Sequence, residues 1–330
     1  MSLVRFDWNE SAASVLSRGK ICVAIGTRNR PTRLGRTLDS LELQAVRPAL
    51  VVVCDSSDEN LRPRVQESCS GRSLPIVYLE SDRQSVNVQR NMAIRFALEN
   101  LSCEFIQVLD DDTEPDPEFL SSLQSWMHEN PECIGVSGLT HPPVLPPRYS
   151  NGLSRRANIL VGLDSESQGS VTRAGVNTPV FPPLKSPRQV EWLMGCSMWR
   201  STIFDVEQYN EDFVGSSLGD DVEFSIRASH YGTLFVIPGA VLSHDQESVG
   251  RPNDFLHSYR FVRNRWEIVK VLGREGSASR FWVSVTYGVF QKSRQFVLSL
   301  IRGEEPRSRW LSLGGAISGS LAVFLRTGIR

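Results

Sequence analysis

Short apolar runs closed by polar turns alternate early in the chain with stretches whose apolar residues recur every three or four positions. Ile21-Cys-Val-Ala-Ile25 is the first run, ends at Gly26, and its β-branched content predicts a buried strand. Thr27-Arg-Asn-Arg-Pro31 is turn chemistry, and Pro31 suits the first turn of a helix, where a missing N–H removes no hydrogen bond. Leu34, Leu38, Leu41 and Leu43 then follow at roughly helical spacing. Leu50–Cys54 and Ile76–Leu79 predict two more buried strands, a helix is expected from about Ser85 to Leu98, and Phe105–Leu109 predicts a fourth strand.

Strands alternating with helices imply βαβ units and a largely parallel sheet, an α/β fold. Ligands of such sheets bind at the C-terminal ends of the strands. Asp55 closes the second strand, and the fourth runs straight into Asp110-Asp111-Asp112. Between His141 and Pro187 the texture changes: HPPVLPPRY and FPPLKSP are rich in proline, and an irregular, functional loop insertion is expected. Val190–Phe204 recovers structure, Asp220–Tyr231 has helical character, and Leu234–Ile237 predicts a late strand before a Pro238-Gly239 turn. From about Phe255 the pattern is helical, with basic and aromatic residues mixed.

Composition narrows the class only modestly. Of 330 residues, 36 are Lys or Arg and 37 are Asp or Glu, so no global field draws in nucleic acid, and no nucleic-acid partner is expected. The six cysteines are scattered without CxxC spacing, which suits a reducing, cytoplasmic compartment. MSLVRFDWNE has no apolar core of a signal peptide, and the uncharged stretch Trp310–Leu325 is short for a membrane span. Phe281 onward mixes apolar residues with Lys292, Arg294, Arg302, Arg307 and Arg309. Such a segment fits peripheral contact with the inner face of a membrane, packing on the catalytic domain, or a homo-oligomer interface.

Candidate chemistry centres on acids. Three adjacent carboxylates repel one another, and Mg²⁺ or Mn²⁺ with hard oxygen ligands would relieve that repulsion. A solvated acidic turn is the competing reading of Asp110–Asp112. Gly219-Asp220-Asp221 opens a helix, either as an ordinary N-terminal cap or as a general base apart from the metal site. His244 is either a loop residue or a metal ligand.

In this order the motifs resemble family 2 glycosyltransferases of the GT-A fold. VAIGTRNRP, VVVCDSSD, SVNVQRNMAI, QVLDDDTEPDPEFL, WLMGCSMWRSTIF, YNEDF, LGDDVEFSIRASHYG and IPGAVLSH carry the resemblance across roughly residues 20–270. It implies a domain over 20–270, with a nucleotide-sugar half (20–138) and an acceptor half (139–270, insertion 141–187). An N-terminal extension (1–19) and a helical C-terminal region (271–330) complete the chain. Thr27, Arg28 and Asp55 would line the nucleotide pocket, with Arg83 and Arg90 reaching the base or diphosphate. Asp110 or Asp111 would meet the ribose, and Asp112 with His244 would hold the metal. Asp221 would be the base of an inverting transfer from a nucleotide-sugar donor, UDP or dTDP linked, to a glycan, lipid-linked or small-molecule acceptor.

The chain departs from this pattern in two places. Asp220 stands where the family has glutamate, although Asp221, the base position, is retained. Processive synthases carry QxxRW, whereas this chain has Val262-Arg-Asn-Arg-Trp266, which favours single-sugar transfer in the synthesis of cell-surface polysaccharide, glycolipid or another glycoconjugate. Two alternatives are an inactive nucleotide-sugar binder, which the retained Asp112, Asp221 and His244 oppose, and a sugar nucleotidyltransferase. The latter usually has a GxGxR-type loop where this chain has Gly26-Thr-Arg-Asn.

Overall fold

The computed structural model describes residues 21–141, 153–213, 218–244 and 253–327. The expected extension 1–19, residues 142–152 of the insertion and Asp245 lie outside them. The described residues form two compact units, one drawn from Met1–Val144, Val180–Ser217 and Arg227–Glu247, the other from Leu145–Pro179, Leu218–Ile226 and Ser248–Arg330.

The first unit is built on β1 (Ile21–Thr27), β2 (Leu50–Asp55), β3 (Ile76–Glu80) and β4 (Phe105–Asp110), all parallel, in the order β3-β2-β1-β4. Successive side chains of a strand face opposite ways. Ile21, Val23 and Ile25 therefore join the core with α1 (Pro31–Glu42), α2 (Arg62–Cys69) and α4 (Phe119–Glu129), while α3 (Val86–Asn100) packs on β1 and β2. Leu34, Leu38 and Leu41 of α1 are fully buried, each contributing about 1.5–3 kcal/mol. Leu43, which had extended the predicted stripe, lies beyond the helix and is exposed.

Beyond β4 the sheet becomes mixed. β8 (Ser197–Arg200) runs antiparallel to both β4 and β6 (Cys133–His141), β6 runs parallel to β9 (Thr233–His244), and β5 (Thr113–Pro115) and β7 (Arg188–Val190) pair antiparallel with β9. The nine strands of the described residues, flanked by helices, make one mostly parallel mixed sheet.

Two expectations need correction. Pro238-Gly239 is not a turn that ends the late strand; it lies inside β9, which continues to His244. The β6–β9 register shifts between Ser137 and Leu139, opposite Val236 and Val241, and this bulge absorbs a proline that cannot donate to the ladder. Gly138 makes the bulge possible, because a Cβ there would lie 2.2 Å from the carbonyl oxygen of Ala240. Nor is the insertion irregular throughout: it holds α5 (Leu153–Val161), and a bridge between Val171 and Asn177 closes a tight turn.

The second unit contains α5, most of α6 (Asp220–Ala228), α7 (Asp254–Leu272), α8 (Ser277–Ile301) and α9 (Arg307–Thr327). Arg265 and Trp266 of α7 build its interior. The Arg265 guanidinium lies 5.1 Å and 5.0 Å from the rings of Phe261 and Phe281 and donates to the Ser284 hydroxyl. Trp266 packs on Phe281 and Trp282. Asn264 is buried and donates to the Leu218 carbonyl.

Candidate active site at the strand ends

Parallel pairing sets Thr27 beside Asp55 and Gly26 beside Asp110, so the C-terminal ends of β1, β2 and β4 meet at one edge. Antiparallel pairing of β5 with β9 then sets His244 against Thr113, one residue beyond Asp112. His244 Nε2 lies 3.2 Å from Asp112 Oδ1. Residues far apart in sequence thus converge through strand register.

The three aspartates have different surroundings. Asp110, the most accessible, accepts from Arg90 at 2.7 Å; Arg90 is buried, its guanidinium 5.3 Å from the Tyr209 ring centroid. Gly195 leaves room for this pair, since a Cβ there would come within 2.9 Å of an Arg90 nitrogen. Asp111 turns inward, accepting from the Thr27 hydroxyl at 2.6 Å and from Arg30 at 2.9 Å. Burial pushes its carboxyl up to about 6 against the pull of Arg30 and Thr27. Asp112 meets Arg30 at 3.2 Å and Arg33 at 3.5 Å besides His244.

Burial also opposes charge on Asp112, but His244 and the two guanidinium groups outweigh it and hold the carboxyl below its ordinary value. For His244 the balance is the mirror image: burial disfavours the imidazolium, yet the Asp112 carboxylate raises the ring above its usual value. Burial likewise weakens the Arg30 cation, and Asp111 and Asp112 more than restore it.

Asp110, Asp112 and His244 each offer one ligand atom, all within 4.8 Å of one another. Two carboxylates and an imidazole suit Mn²⁺, while Mg²⁺ favours an all-oxygen set. The structure thus groups Asp110, which the family resemblance assigned to the ribose, with the two residues it assigned to metal.

The other expected residues occupy varied positions. Asp55 is fully buried and accepts from the Ser57 amide and hydroxyl and from the Tyr78 hydroxyl. Arg28 is exposed and pairs with Asp58. Arg83 is exposed and pairs with Glu211. Asp221 belongs to the second unit, half-buried in the first turn of α6 with Asp220 and Glu223, where one oxygen accepts from the Val222 amide. Four donors on α3 and its approach also shape the first unit: Ser85, Asn87, Asn91 and Arg83 donate to the 209–213 segment that presents Tyr209.

Sequence reasoning missed Arg30, Arg33 and Gln89. Arg30 and Arg33 are three residues apart where α1 begins, a spacing that puts both on one side of a helix, and that signal was available. Gln89 donates to the carbonyls of Thr27 and Cys54, tying β1 to β2 where both end. Nothing in its local sequence marks that role.

The mixed sheet and its flanking helices share the GT-A fold of solved glycosyltransferases. Residues 22–159 match glycosyl transferase family 2. A hyaluronan synthase of Pasteurella multocida is 25% identical over 257 residues, 71% of this chain; the chain spans only 25% of that protein's length. GalNAc-T7, solved with UDP, GalNAc and Mn²⁺, matches 81% of this chain and 53% of its own at 16% identity, with a TM-score of 0.56. Residues 1–349 of S. aureus TarS, solved with UDP, match 91% of this chain and 80% of their own at 14% identity, with a TM-score of 0.50.

Proposed function

We propose that the chain transfers a single sugar from a nucleotide diphosphate sugar, UDP or dTDP linked, to an acceptor hydroxyl, inverting the anomeric carbon. The observation that carries this reading is the convergence of Asp110, Asp112 and His244 at the strand ends, on the edge that also holds Asp55. UDP and Mn²⁺ in the GalNAc-T7 structure and UDP in the TarS structure support the donor class.

In this reading Asp112 and His244, with Asp110 beside them, hold a divalent cation, which when bound neutralises charge growing on the leaving diphosphate. Arg30 and Arg33 supply further positive charge at the same carboxylates. Thr27, Arg28, Asp55, Arg83 and Arg90 serve the nucleotide. Asp221 accepts the proton that the acceptor hydroxyl loses on attack, and attack opposite the leaving group inverts the centre. The acceptor is a glycan, a lipid-linked sugar or a small molecule.

The test is a nucleotide-sugar screen with Mn²⁺, reading donor hydrolysis and transfer to simple glycosides. Turnover of one UDP- or dTDP-sugar, abolished by EDTA, is expected. Absence of both binding and turnover for every nucleotide sugar tried, metal present, would sink the reading.

A further inference from the structure

The helical unit carries a surface that the proposed chemistry does not use. On α8, Phe290, Val297 and Ile301 recur at seven- and four-residue steps, and on α9, Trp310, Leu321 and Phe324 recur at similar helical steps. At 100° per residue each set forms one stripe. All six side chains are between 51% and 74% exposed.

The two helices form an antiparallel hairpin. Trp310 stacks on Phe296 with ring centroids 5.3 Å apart, and Phe324 meets Trp282 at 6.4 Å. These residues belong to the α9 stripe and touch α8 near opposite ends, so that stripe runs beside α8 along the hairpin. Lys292 is drawn inward to the hydroxyls of Ser258 and Ser312, which pins α8 to α7 and α9.

Charge on the two helices has a single sign. α8 carries Arg280, Lys292 and Arg294, α9 carries Arg307, Arg309 and Arg326, and neither helix contains an Asp or Glu. The acids nearby, Glu304 and Glu305, sit in the connecting turn, where Glu304 is engaged by Arg302 and Arg309. Arg294 falls on the α8 stripe itself, four residues beyond Phe290.

We propose that this hairpin lies in the surface of an anionic lipid bilayer, its apolar stripes in the acyl boundary and its arginines at the headgroups. Exposed aromatic and aliphatic stripes on helices whose only charges are cations have the composition of an interfacial helix. Spanning is not in question: no helix among the described residues is long and apolar enough to cross a membrane. A second copy of the chain fits less well, because a two-fold interface sets like cations against each other.

The experiment is co-sedimentation of the full chain with phosphatidylcholine vesicles, with and without phosphatidylglycerol. Binding to the anionic vesicles is expected, weakened about tenfold or more by F290E or L321E and by high salt. R294Q combined with R307Q should also weaken it about tenfold or more and reduce the salt dependence. These side chains point outward, so melting temperatures should stay within a few degrees of the parent and report that each variant is folded. Failure to pellet with anionic vesicles at low salt overturns the proposal, as does binding indifferent to F290E and L321E. A vesicle-inert dimer that L321E dissociates overturns it as well.

Discussion

At the strand-end edge three arginines meet three aspartates within 3.5 Å, whereas in the helical unit Arg265 lies sealed between two phenyl rings with a serine hydroxyl as its partner. Among the described residues no carboxylate pairs with Arg265, and burial pushes it down to about 9, still charged at neutral pH. The same residue type therefore does two different jobs. At the edge, Arg30 and Arg33 both reach Asp112, which remains partly open to solvent, so those pairs can be exchanged for a cation or a diphosphate. In the helical unit the guanidinium is a fixed part of the packing. Substitutions at the edge should therefore change ligand binding and turnover, and substitutions around Arg265 should change folding.

The largest expected effect is that of Asp221→Asn. A positioned general base contributes about 10²–10⁴-fold, so transfer should fall by that order while nucleotide binding, measured by calorimetry, stays at the parental level. Loss of nucleotide binding would move Asp221 from proton transfer to donor binding. Next, Asp112→Ala should lower turnover by on the order of 10²-fold, with a parental melting temperature. A large fall in melting temperature would erase the contrast, because the edge would then be structural as well.

How much of this was legible in advance follows the same divide. Local pattern gave the four parallel strands, because each is a short apolar run that ends in turn residues, and it placed Asp55 and Asp110–Asp112 at strand ends. The pairing of β9 with β5, which delivers His244 to Asp112, is a tertiary register that no local pattern contains. Pro238-Gly239 misled, since a bulge in a strand and a turn after it share the same residues. Arg265-Trp266 stands where processive synthases carry the end of QxxRW, and the structure packs both residues into the core of the helical unit.

Smaller effects sharpen the helical side. Arg265→Ala should cost about 2–4 kcal/mol by leaving a cavity, whereas Arg265→Met should be near neutral or stabilising, since a buried cation without a counter-ion gives little net stability. Thermal melts of both, with nucleotide binding unchanged, would separate packing from chemistry. Gln89→Ala should cost about 1 kcal/mol by removing two hydrogen bonds to the strand-end carbonyls of Thr27 and Cys54, read by denaturant midpoint. The smallest expected change in stability is that of Arg28→Gln, which a thermal melt should not resolve because its pair with Asp58 is exposed.

The central claim is that the edge binds a nucleotide diphosphate through a cation held by Asp112 and His244. Titration calorimetry of UDP and dTDP into the full chain, with Mn²⁺ and then with EDTA, tests it most directly, using Asp112→Ala as the paired variant. The account predicts binding that weakens about tenfold or more both on chelation and on the substitution. Equal affinity in EDTA and in Asp112→Ala would contradict it.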